Sequence, residues 1–115
     1  MSVHKESGAT ISSLADIETS ARGSRLILGD GSMIDSFVKV KMVGGTGDIE
    51  IGRNSYINSG CVLYSGNGIR IGSNVLIAAN CTLAPVNHQF VDPGTLIHNQ
   101  GFAPSRGGII VEDDV

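Results

Sequence analysis

Aliphatic residues return every six positions through most of this chain, and no other feature constrains its fold as much. Ile71-Gly72-Ser73-Asn74-Val75-Leu76, Ile77-Ala78-Ala79-Asn80-Cys81-Thr82 and Leu83-Ala84-Pro85-Val86-Asn87-His88 follow one another directly, each opening on a large aliphatic residue. The fifth place of the first two is small or β-branched, Val75 and Cys81. Ile11 and Ile17 open earlier hexapeptides, with Ala15 and Ala21 in fifth place. Leu28, Ile34 and Val40 open three more, and Ile51, Ile57 and Leu63 another three. A strand sends alternate side chains to opposite faces, so places one and five can both point inward across a corner. Three short strands closed into a triangle make one coil. Coils stacked ~4.8 Å apart hydrogen-bond to their neighbours on either side.

A longer repeat carries the same message, and self-similarity of this kind takes precedence over local signals. Leu26-Ile27-Leu28-Gly29-Asp30-Gly31, Ile49-Glu50-Ile51-Gly52-Arg53-Asn54 and Ile69-Arg70-Ile71-Gly72-Ser73-Asn74 share one template, and Ile109-Ile110-Val111-Glu112-Asp113-Asp114 follows it loosely. The starts 28, 51, 71 and 111 differ by 23, 20 and 40, which is one 18-residue coil plus 5, 2 and 22 further residues. The additions hold turn formers: Gly44-Gly45-Thr46-Gly47, Gly66-Asn67-Gly68 and the long stretch after His88. Gly29, Gly52 and Gly72 are expected at tight corners, and Asn54 and Asn74 at positions of positive φ. Composition agrees with an all-β parallel β-helix: 16 glycines, no Trp and only 4% aromatics leave stacked aliphatic residues to fill the core. The period itself does not fix the hand of the coil, and crossovers between parallel strands are ordinarily right-handed.

Several classes of function are disfavoured. The net charge is −3 with no basic run, which argues against nucleic acid. No apolar stretch approaches a membrane span, and the first residues lack the apolar block of a signal peptide. Two cysteines make no disulfide framework, so a reducing cytoplasm is expected. Cys61 and Cys81, 20 apart, read as small core residues stacked in adjacent coils. Residues 1–9, including His4, read as a flexible leader and 10–115 as the β-helix domain.

Residues 87–108 form a long insertion in an otherwise tight repeat, and long loops on compact scaffolds usually carry function. This one holds His88, Asp92, His98 and Arg106, with Phe90 and Phe102 as candidate anchors. The run Ile71 to His88, then Gln100-Gly101-Phe102 and Val111-Glu112-Asp113-Asp114-Val115, resembles the hexapeptide-repeat acyltransferases. The likeness is greatest to sugar O-acetyltransferases of the galactoside and maltose type and to those of surface-polysaccharide biosynthesis. It covers about residues 10–115. It implies a left-handed parallel β-helix, a homotrimer with active sites between subunits, and acetyl-CoA as donor without a metal. It makes His88 the matching catalytic base, Asn58 a contact to the acceptor sugar and Tyr56 a substrate-side aromatic. An acidic acceptor contact of that group falls near Gly66, so the acceptor is expected to be held differently. Members of the family continue past Glu-Asp-Asp-Val into further coils that supply much of the coenzyme groove. This chain therefore reads as truncated at Val115, with coenzyme-binding residues expected beyond it and weak coenzyme binding expected here.

The residue types suit the chemistry. A hydroxyl or amine acceptor needs a base to remove its proton, and a neutral imidazole titrates near working pH. Asp92 is a candidate to orient His88 on the substrate side, with a backbone carbonyl as the alternative. Lys41 and Arg106 are candidates for coenzyme phosphates, against the simpler reading of solvated charge. Two rivals stand beside acetyl transfer. One is a structural or assembly solenoid without catalysis. The other is a γ-type carbonic anhydrase, which needs three histidine ligands to zinc, whereas His88 and His98 share one loop with no third on the coils.

Overall fold

The computed structural model describes residues 3–20, 22–86, 93–96 and 107–115. His88, Asp92, His98, Arg106, Phe90 and Phe102 lie outside the described residues.

Among the described residues, thirteen short strands run in chain order. β1 (Val3–Lys5), β4 (Leu26–Leu28), β7 (Ile49–Ile51), β10 (Ile69–Ile71) and β13 (Ile109–Val111) form one sheet, face A. β2 (Thr10–Ile11), β5 (Met33–Ile34), β8 (Tyr56–Ile57) and β11 (Leu76–Ile77) form face B. β3 (Asp16–Ile17), β6 (Lys39–Lys41), β9 (Val62–Tyr64) and β12 (Thr82–Leu83) form face C. Every pairing is parallel, and strands from successive coils are neighbours. The protein is an all-β parallel β-helix, and a left-handed winding fits the arrangement. No helix among the described residues is long and apolar enough to cross a membrane.

The six-residue period does what its spacing predicts. Ile51, Ile57 and Leu63 stand in the first place of their hexapeptides, and each is at most 2% exposed. Cys61 and Val75, in fifth place, are fully buried. The strand registers place Leu28, Ile51, Ile71 and Val111 in one inward column and Ile34, Ile57 and Ile77 in another. Each fully buried aliphatic side chain contributes roughly 1.5–3 kcal/mol relative to exposure. Ser55 occupies a fifth place without being apolar. Its hydroxyl donates to the Gly72 carbonyl at 2.6 Å and accepts from the Val75 N–H at 3.0 Å, so a buried polar group ties two coils together. Cys61 and Cys81 are free thiols in the expected stack. The Cys61 Sγ–H donates to the Ala78 carbonyl at 3.0 Å, and burial pushes its thiol pKa up.

Corner chemistry is sharper than the sequence pattern alone implies. Gly31, Asn54, Asn74 and Asp114 stack at the corner between faces A and B, all with φ between 55° and 74°. Asparagine and aspartate tolerate that left-handed region because their short polar side chains bond locally. Gly52 and Gly72 are needed for a different reason, since neither has positive φ. A Cβ on Gly52 would collide with the Gly72 carbonyl, and one on Gly72 with Asp113. At the corner between faces B and C, Gly60 and Asn80 have φ of 76° and 62°, and Phe37 takes the equivalent place with φ of 63°. For an ordinary side chain this conformation costs about 1–2 kcal/mol.

One expectation is corrected. Residues 1–9 are not wholly a loose leader: Val3, His4 and Lys5 pair in register with Leu26, Ile27 and Leu28, and Ala9 is buried. Lys5 stands in the column occupied higher up by Leu28 and Ile51, yet it is exposed.

The packing predicts that Ile57→Ala lowers unfolding free energy by about 2–5 kcal/mol. Asn74→Ala should lose about 1 kcal/mol while Asn74→Gly retains stability. Denaturant midpoints measured on the three variants check both statements.

Candidate functional site

The insertions all fall at one corner. Coils pass from face C to face A through residues 18–25, 42–48, 65–68 and 84–108, whereas the other two corners are short. On a three-sided prism this corner is the vertex opposite face B.

The turn Gly66-Asn67-Gly68 clamps both roots of the long loop. The Asn67 backbone N–H and side-chain Nδ2 donate to the Pro85 carbonyl at 3.3 and 3.1 Å. On the returning side, the Ile109 N–H donates to the Gly68 carbonyl at 2.9 Å. Asn67 was not singled out by the sequence reading as a holder of the loop. The signal available was that its Gly-Asn-Gly turn recurs at the same corner as the insertion.

A cleft of about 380 Å³ opens at the foot of the loop, lined by Gly47, Asp48, Glu50, Asn67, Arg70 and Ile110 among others. Its charges are already neutralised in pairs. Arg25 donates to Asp48 from Nη2 at 2.8 Å and from its backbone N–H at 2.8 Å, and Arg70 Nε donates to Glu50 at 2.9 Å. Hydrogen bonding from Arg25 holds the Asp48 carboxyl below the usual carboxylate range, and the same bond raises the Arg25 pKa. Lys41, a candidate for coenzyme phosphate, pairs with Glu18 at 3.5 Å on an exposed face.

Tyr56 and Asn58 sit elsewhere. Tyr56 lies on the outer side of β8, 42% exposed, between Met33 and Leu76 in the neighbouring coils. Leu76, directly in register with it, is 65% exposed. Asn58 follows two residues later on the same outer side. Its Nδ2 donates to the Ile77 carbonyl at 2.7 Å, beside a 3.1 Å backbone bond from its own N–H to the same oxygen. So Asn58 satisfies the next coil rather than its own turn. An Asn amide has two N–H donors and one acceptor oxygen, so this bond leaves capacity for a ligand hydroxyl. Tyr56 and Asn58 are thus together on face B, and the roots of the loop carrying His88 and Asp92 are on the vertex opposite. Comparison with family models, curated proteins and solved structures finds no match, so the site is argued from this geometry.

The depressed Asp48 pKa has a pH consequence. A carboxylate stabilised in the folded state contributes above its unfolded pKa of about 3.9, and that contribution fades as pH falls through the lower folded value. Asp48→Asn should therefore lose stability at neutral pH and show a shallower decline below about pH 4 than the parent chain. Urea unfolding across that range, with each variant compared at each pH, checks it.

Proposed function

We propose that this protein is a hexapeptide-repeat acyltransferase that moves an acetyl group from acetyl-CoA to a hydroxyl or amine of a sugar-like acceptor, with His88 as general base. The observation that carries the reading is the pairing of two features: an exposed aromatic and an amide with spare hydrogen-bonding capacity on face B, and a long His-bearing insertion rooted at the opposite vertex. An aromatic edge beside an amide suits a polyol, which offers C–H patches and hydroxyls together. In one prism the two features face apart. A second copy that brings its vertex against face B would bring them together, which is why we favour a homotrimer with sites between subunits.

In the proposed reaction His88 takes the acceptor proton as the acceptor atom attacks the thioester carbonyl. The C–S bond then breaks, and the imidazolium returns its proton to the departing coenzyme thiolate. Asp92 is proposed to orient the ring from the substrate side. Two free cysteines agree with a reducing compartment, and we place the enzyme in the cytoplasm, in the biosynthesis of a surface polysaccharide.

A thiol-release assay with acetyl-CoA and a panel of sugars tests the proposal. His88→Ala should cut turnover by about 10²–10⁴-fold. Release by the parent chain that persists undiminished in the variant removes His88 from the role. No release with any acceptor favours the assembly solenoid, whose support is the same exposed apolar surface on face B.

A further inference from the structure

Asp35 stands beside Asn58, and its neighbours leave half of its carboxylate unused. The register of Met33 on Tyr56 and Ile34 on Ile57 continues past the strand ends: the Asp35 N–H donates to the Ile57 carbonyl at 3.0 Å, and the Asn58 N–H to the Ile77 carbonyl at 3.1 Å. Asp35 is therefore the counterpart of Asn58 one coil earlier, about 4.8 Å away along the stack. Its Oδ1 accepts the Ser36 N–H at 2.7 Å. Its Oδ2 has no donor, and no cation pairs with it, among the described residues. Lys39, the nearest cation along the chain, is on β6 in face C, in register with Asp16. Ser12, the counterpart of Asp35 in the coil before, has its hydroxyl on Ser36 Oγ at 2.8 Å and on the Leu14 N–H at 3.1 Å. A half-buried carboxylate oxygen without a donor has room for a ligand's hydrogen bond.

Four side chains make a two-by-two array on the outer side of face B. Met33 and Asp35 come from one coil, Tyr56 and Asn58 from the next. The apolar pair is separated from the oxygen-bearing pair by about 6.6 Å along the strand, close to the width of a pyranose ring. An ionised carboxylate only accepts hydrogen bonds, and Asn58 has one amide N–H committed to the Ile77 carbonyl at 2.7 Å. The complement of this array has a C–H face for Met33 and Tyr56 and adjacent hydroxyls for Asp35 and Asn58. A neutral sugar with a vicinal diol meets both needs, whereas an acidic sugar brings like charge against Asp35.

We infer that Asp35 is a specificity-determining residue of the acceptor site, accepting a hydrogen bond from a hydroxyl next to the one that Asn58 holds and so selecting neutral vicinal diols over anionic sugars. This rests on the reading above, in which Tyr56 and Asn58 face the acceptor. Asp35 acts on binding and not on the reacting atoms, so its removal raises KM and leaves kcat nearly unchanged.

Asp35→Asn tests this with little risk to the fold, because the amide oxygen can still accept the Ser36 N–H while Oδ2 is replaced by a donor. Asp16→Asn, on face C, makes the same change of charge away from the array. Acetyl transfer would be measured on the parent chain and both variants with a panel of methyl hexosides, their monodeoxy analogues and the matching 6-carboxylates. Binding of the same sugars would be followed by calorimetry without acetyl-CoA. For the neutral hexoside that the parent takes best, Asp35→Asn should raise KM roughly tenfold with kcat within about twofold. It should also lower the preference for that sugar over its 6-carboxylate roughly tenfold, and Asp16→Asn should do neither. One monodeoxy analogue should lose as much with the parent as Asp35→Asn does, and lose nothing further in that variant. Parent-like KM and preference in Asp35→Asn, or a fall in kcat alone, overturns the role of Asp35 and leaves the acyltransferase reading standing. A parent that transfers to no sugar yet binds one more tightly than Asp35→Asn does removes the reaction and keeps the site. No sugar binding and no transfer removes both.

Discussion

Everything in this structure depends on coils lying in register above one another. Backbone hydrogen bonds between parallel strands hold the spacing, and that spacing forces each side chain onto its counterpart in the next coil. Isoleucine stacks on isoleucine because a column of like shapes fills a narrow interior without aromatic bulk. The corners obey the same rule. Among the described residues, positions in the left-handed region hold glycine, asparagine or aspartate, with Phe37 as the exception. Where two turns approach closely, as at Gly52 and Gly72, no Cβ fits.

Such a scaffold has few places to put function. Two corners keep the same short length from coil to coil, while the third accepts additions of very different length. The long loop is rooted there, held by the Gly66-Asn67-Gly68 turn on both sides. On face B the side chains of Tyr56 and Leu76 stand exposed, side by side in register. A flat face and a projecting vertex complement each other only between molecules. The proposed shared site uses that complementarity, with Tyr56 and Asn58 on one side and the loop on the other chosen through the family likeness.

The prism was legible because its signal is redundant: Ile51, Ile57, Ile71 and Ile77 repeat one requirement, and Asn54 and Asn74 repeat another. The position of the insertions was legible for the same reason, since the extra residues interrupt the period at one phase. The first strand was not. Val3-His4-Lys5 lies 23 residues before Leu26-Ile27-Leu28, but Lys5 in the inward column hides the match. Phe37 was not legible either, because its residue type gives no hint of positive φ. Tyr56 and Asn58 were singled out through family likeness, and the structure adds what pattern reading could not: their shared face, their exposure and the bond from Asn58 to the neighbouring coil.

The central claim is that face B of one chain and the loop vertex of another make one acetyl-transfer site. Complementation measures this most directly. Asn58→Ala and His88→Ala chains, each expected to be impaired alone, would be co-expressed and the mixed assemblies assayed for acetyl transfer. The account predicts that mixing restores activity, because some interfaces then pair an intact Asn58 with an intact His88 from its neighbour. Mixed assemblies no more active than either variant alone, beside an active parent, would contradict it.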